Sequence, residues 1–85
     1  MKNRITEILR EIRSEFDFST SSNFIEDGML DSFDIVNLVT MLDEEFKISI
    51  EGTQIIPDNF VSVESICSLL SKYVKEWTYI LKTKR

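Results

Sequence analysis

Asp31-Ser32-Phe33-Asp34-Ile35-Val36-Asn37-Leu38-Val39-Thr40-Met41-Leu42-Asp43-Glu44-Glu45-Phe46 reads as one amphipathic helix. Ile35, Leu38, Val39, Leu42 and Phe46 fall at i, i+3, i+4, i+7 and i+11, which is one face at 3.6 residues per turn. Asp31 is placed to cap the free amides of the first turn, and Asp34 adds negative charge where the helix dipole is positive. Phe33, Val36 and Thr40 form a second line beside the core face, with Asn37, Asp43 and Glu44 alongside. An apolar strip left over after the core face is filled, and rimmed by acids, reads as a docking surface. The plainer alternative is a helix buried on two sides.

Outward from this helix, the chain predicts two more. Ile5, Ile8, Leu9, Ile12 and Phe16 share one helical face, with Asn3 as the expected N-cap. Asp17-Phe18-Ser19-Thr20-Ser21-Ser22-Asn23 is a polar, turn-forming run that reads as loop, and Phe24 and Ile25 are expected to tuck it onto the core. Gly28 supplies a position free to take positive φ. After Phe46, Lys47-Ile48-Ser49-Ile50 alternates too briefly for a sheet, and Gly52 to Phe60, with the proline, reads as loop holding one or two short helical turns. Ser62 is the expected cap of a last helix with Glu64 in its first turn, carrying Val63, Ile66, Cys67, Leu70, Val74, Trp77 and Leu81 at helical spacing. Cys67 reads as a small buried hydrophobe on its core face. The expected fold is all-α: three long helices plus one short helix in a four-helix bundle. Residues 1–85 form one domain with its core over about 3–76 and residues 77–85 a helical extension or tail. That tail, Trp77 to Arg85, either covers the end of the bundle or offers an aromatic and basic handle to a partner or a membrane surface.

Composition excludes several function classes. The 85 residues include no histidine and one cysteine, which removes a Ser-His-Asp triad, a Cys-His pair, a Cys/His zinc site and an internal disulfide. The two glycines lie too far apart for a phosphate-cradling loop. A chain of this size buries only about 60–65% of its unfolded surface, so there is room for one modest core and no deep private cavity. The net charge of −5 disfavours nucleic acid. It also conceals a pattern. Residues 15–64 hold twelve acids and one base, whereas residues 1–14 and 65–85 carry +2 and +4. Such a single-sign surface steers partners of opposite charge. No segment reads as a transmembrane span or an export signal, so a cytoplasmic monomer is expected.

Without catalytic residues, the chain reads more readily as a substrate of other enzymes than as an enzyme. Ser32 lies in the first turn of its helix, after a glycine-bearing loop, where the dipole end would stabilise a phosphate esterified to its hydroxyl. Alone, an Asp-Ser pair at a helix start is common. The wider pattern is Phe24-Ile25-Glu26-Asp27-Gly28-Met29-Leu30-Asp31-Ser32-Phe33-Asp34-Ile35-Val36, then Leu42-Asp43-Glu44-Glu45-Phe46-Lys47-Ile48-Ser49-Ile50, then Phe60-Val61-Ser62-Val63 with Ile66. It resembles the acyl carrier protein family over about residues 3–76. There an Asp-Ser-Leu motif opens the second helix; here it is Asp31-Ser32-Phe33.

The resemblance implies a carrier that catalyses nothing itself. Ser32 would receive 4′-phosphopantetheine from coenzyme A through a phosphopantetheinyl transferase, and the arm's thiol would hold acyl or aminoacyl groups as thioesters. Acyl- or aminoacyl-activating ligases and acyltransferases would read the second helix with basic patches. By position, Asp31, Asp34, Asp43 and Glu44 would supply the charge and Phe33 and Val36 the apolar contact. Leu42, Phe46 and the last helix would line an acyl cavity. Fatty-acid carriers commonly read Asp-Leu-Gly-Ala-Asp-Ser-Leu, and Asp27-Gly28-Met29-Leu30-Asp31-Ser32-Phe33 is more similar to D-alanyl and other dedicated carriers. Asn37 stands where fatty-acid carriers often have glutamate, and the loop from Gly52 to Pro57 is longer than theirs. The chain lacks the tryptophan before the last helix associated with D-alanyl carriers of teichoic acid modification. A dedicated carrier is therefore expected, with D-alanyl and fatty-acid carriers as alternatives. An unmodified acidic interaction module is the alternative of a different class.

Overall fold

In a computed structural model, the backbone is described for residues 2–83 and the side chains for residues 2–74. Three α-helices make up the frame: α1 (Lys2–Ile12), α2 (Ser32–Phe46) and α3 (Val63–Thr83). Single 3-10 turns occur at Phe18–Thr20, Gly52–Gln54 and Pro57–Phe60. The fold is all-helical, as expected. The short third helix is realised as the two later 3-10 turns, because Pro57 and a run of polar residues leave no apolar periodicity to extend either one. Among the described residues no helix is long and apolar enough to cross a membrane.

α1 packs on both α2 and α3, and the turn at Pro57–Phe60 closes against α2 and α3. Arg4 near the start of α1 reaches Glu45 near the end of α2, whereas Arg13 just past α1 reaches Asp31 and Asp34 at the start of α2. The two helices therefore run antiparallel. The core joins Ile5, Ile8 and Leu9 of α1 to Ile35, Leu38, Val39 and Leu42 of α2 and Ile66, Leu69 and Leu70 of α3. Phe18, Phe24, Leu30, Ile50 and Phe60 from the connections complete it. Among the described residues every buried side-chain polar atom has a hydrogen-bond partner.

Three sequence expectations are corrected. Asn3 is not an N-cap, since α1 already includes Lys2. Phe16 is not on α1: the helix ends at Ile12, and the Phe16 amide donates to the Arg13 carbonyl at 3.4 Å in a turn that brings the ring back to the core. That turn places Phe16 edge-on to Phe18 at 6.3 Å, and Phe18 edge-on to Phe24 at 5.0 Å. Such aromatic stacking stabilises beyond the area it buries, so Phe18 is core although it sits in a polar run. The buried face of α3 runs through Ile66, Leu69 and Leu70; Cys67, expected to be buried, is half-buried and packs against that core, as Tyr73 does. Tyr73 faces inward because its hydroxyl accepts from the Glu51 amide at 3.1 Å, tying α3 to the loop after α2. The remaining expectation, a tail from Trp77 to Arg85, concerns side chains outside the described residues; the α3 backbone continues to Thr83.

Candidate functional site

Ser32 is the first residue of α2 and is exposed. What precedes it is a folded segment rather than a slack loop. The Phe24 amide donates to the Val61 carbonyl at 2.6 Å, and the Met29 and Leu30 amides both donate to the Phe24 carbonyl at 2.8 and 3.2 Å. The Asn23 side chain accepts from the Glu26 amide at 3.0 Å, and the Ser21 hydroxyl bonds the Asp27 carboxylate. Gly28 has φ +73°, which glycine adopts without strain. With Phe24 and Leu30 buried as anchors, the chain arrives at Asp31 extended (φ −118°, ψ −174°) and enters the helix at Ser32.

A reciprocal capping box closes the helix start. Asp31 Oδ1 accepts from the Asp34 amide at 3.0 Å, and Asp34 Oδ2 accepts from the Asp31 amide at 3.1 Å. The Asp34 amide holds the Asp31 carboxyl below its ordinary range, with Arg13 adding to the effect. Arg13 then bonds the box from outside: its Nε donates to Asp34 Oδ2 at 2.9 Å, and its Nη2 lies 3.5 Å from Asp31 Oδ2. The Asp34 carboxylate, foremost, and Glu15 push the Arg13 guanidinium above its usual value.

The remaining candidate residues separate by exposure. Phe33 is 83% exposed and Val36 61%, so the second apolar line on α2 faces outward and the alternative of a helix buried on both sides does not apply. Glu44 and Asp31 are both exposed. Asp34 needs correction as a partner-facing acid. It is 7% exposed, and its carboxylate is spent on the capping box and on Arg13. Asp43 is half-buried, and its Oδ1 accepts from the Ile50 amide at 3.0 Å, so it also holds the turn after α2. Leu42 is fully buried and Phe46 half-buried in the closed core. Arg13 escaped sequence reasoning because its partners are 18 and 21 residues away, beyond the reach of any local periodicity.

This geometry offers an exposed primary alcohol at a capped helix start, beside an apolar ridge and acids. The chain is similar to the acyl carrier protein of Buchnera aphidicola subsp. Baizongia pistaciae (strain Bp), with 39% identity over 56 residues, 66% of this chain and 69% of that protein. No family model and no solved structure matches it.

Proposed function

The chain belongs to the acyl carrier protein family, and from that premise we propose that Ser32 is the attachment residue for 4′-phosphopantetheine. The observation that carries this reading is Ser32 itself, exposed at the capped first turn of α2 between Asp31 and the 83% exposed Phe33. The residues present fit the group. A phosphodiester needs an accessible hydroxyl and a helix end whose amides and dipole tolerate an anion, and the arm itself needs only open solvent. When attached, the arm supplies a thiol that holds an acyl group as a thioester. The chain's own residues present the serine and dock the enzymes that act on the arm.

Partner enzymes would engage Phe33 and Val36 through an apolar pocket and Asp31 and Glu44 through basic side chains, with the acidic field of residues 15–64 speeding encounter. Asp34 and Asp43 would act indirectly, by holding the two ends of α2. The carrier body is taken as about residues 3–76. The pathway we favour is a dedicated one outside bulk fatty-acid synthesis, supported by Gly28-Met29-Leu30-Asp31-Ser32 and by Asn37. A D-alanyl carrier is the second reading, supported by the same Gly-x-Leu-Asp-Ser spacing.

Intact-mass measurement tests the assignment. After incubation with coenzyme A, magnesium and a broad-specificity phosphopantetheinyl transferase, the wild type is expected to gain one arm and Ser32→Ala none. An unmodified wild type would overturn the carrier reading. Gain by Ser32→Ala would move the attachment to another serine. Offering the modified protein to a D-alanine-activating ligase and to a malonyl transferase separates the pathways, and acceptance of malonate alone would exclude a dedicated carrier.

A further inference from the structure

Arg13 lies just beyond α1, yet its guanidinium touches residues on both sides of Ser32. Its Nε donates to Asp34 Oδ2 at 2.9 Å, its Nη2 approaches Asp31 Oδ2 at 3.5 Å, and its Nη1 donates to Glu15 Oε2 at 3.3 Å. One positive charge therefore stands among three carboxylates, one of them 7% exposed. Asp34 has its capping bond with or without Arg13, so the ion pair is not needed to satisfy the helix start. Its particular contribution is charge at the place where an anionic group would be attached.

We propose that Arg13 is a positioning residue for the modification of Ser32, offsetting the negative charge that arrives between Asp31 and Asp34 while pinning the first turn of α2 to the end of α1. This rests on the reading of Ser32 as the attachment residue. In that transfer the Ser32 Oγ–phosphorus bond forms as the pyrophosphate P–O bond of coenzyme A breaks. Adenosine 3′,5′-bisphosphate leaves with the bonding electrons, and the hydroxyl proton passes to a base on the transferase. Arg13 takes part in none of these bonds. It lowers the electrostatic cost of a phosphodiester placed within one turn of two carboxylates, where like charges disfavour one another.

A double-mutant cycle tests the charge coupling without any cofactor, using Ser32→Glu as a fixed anion. The unfolding equilibrium is measured for wild type, Ser32→Glu, Arg13→Gln and the double variant. Ser32→Glu is expected to disfavour the folded state about fivefold more when Arg13 is replaced, the size of coupling seen between charges in one network. Arg13→Lys, which keeps the charge and the fold in milder form, is expected to restore most of that factor. In the transferase assay, Arg13→Gln is expected to lower kcat/KM about tenfold, mainly through kcat, because Phe33 and Val36 still dock the enzyme. Additive effects in the cycle, or unchanged transferase kinetics on folded Arg13→Gln, would overturn the proposal by reducing Arg13 to a structural ion pair. If the wild type accepts no arm, the carrier reading falls. The cycle alone then decides whether Arg13 couples to charge at position 32.

Discussion

Gly28 and Lys47 both carry positive φ, +73° and 56°, before and after α2. At Gly28 an added β carbon would meet nothing within 4 Å, so a substitution there costs backbone strain alone. Gly28→Ala is expected to destabilise by about 1–2 kcal/mol, the cost of left-handed backbone for an L-residue. Lys47 stands where many helices end in glycine, closing α2 with its amide and that of Ile48 both directed to the Asp43 carbonyl. Lys47→Gly is therefore expected to stabilise by up to about 1 kcal/mol, less what the freer unfolded chain takes back. Urea unfolding of the two variants checks both signs; a neutral Gly28→Ala would show that the turn before the site relaxes at no cost.

The segment from Arg13 to Asp31 shows how an element without regular structure can be rigid. Phe18 and Phe24 are both almost fully buried, stacked edge to face, and the Phe24 backbone is bonded to Val61 on the far side of the chain. Phe18 enters through a short turn that Asp17 caps by accepting from the Ser19 amide at 3.1 Å. Phe18→Ala is expected to cost about 3–5 kcal/mol, the range for a truncated core aromatic. That is a large share of the ~5–15 kcal/mol of a small domain. Hydrogen exchange is the more telling measurement, because protection at the Phe24, Met29 and Leu30 amides should fall before that of α1. Uniform loss over the whole chain would mean the segment has no stability of its own to lose.

For the whole molecule, arginines on α1 and just beyond its end offset part of the acidic middle. Arg4 bonds Glu7 and Glu45 at 2.6 and 2.8 Å, and Arg13 bonds Asp34 and Glu15. These contacts hold the Glu45 carboxyl below its usual range, chiefly through Arg4, while the Ser19 hydroxyl does the same for Asp17 and the Asp34 amide for Asp31. A carboxyl depressed on folding binds fewer protons in the native state, so its stabilisation is complete above the ordinary carboxylate range and is lost as pH falls through the folded value. The thermal midpoint is expected to change little from about pH 7 to 5, where carboxylates stay ionised, and to fall below about pH 4. Arg4→Gln should flatten that acid limb by freeing Glu45. An unchanged limb in Arg4→Gln would show that the pair has no net effect on folding.

How far the sequence reads depends on the distance over which each interaction acts. The α2 period, the Asp31 and Ser62 caps, the positive φ of Gly28 and the unburied line of Phe33 and Val36 follow from residues within a turn or two of one another, and the structure bears each of them out. The three α-helices were legible for the same reason, whereas the expected short fourth helix is two 3-10 turns. Phe18 could not be placed from its polar neighbours, because only Phe16 and Phe24 together make burying it favourable. Leu69 joined the buried face of α3 and Tyr73 packed against it beside Cys67, an arrangement that depends on α1 and on the Glu51 amide rather than on the helix's own period. Asp34 read as surface charge until Arg13, 21 residues away in the chain, turned it into an internal ion pair. Local geometry and charge type are written in the sequence. Which charges remain free to meet a partner is decided by the tertiary fold, because packing α1 against α2 brings distant ions within bonding distance.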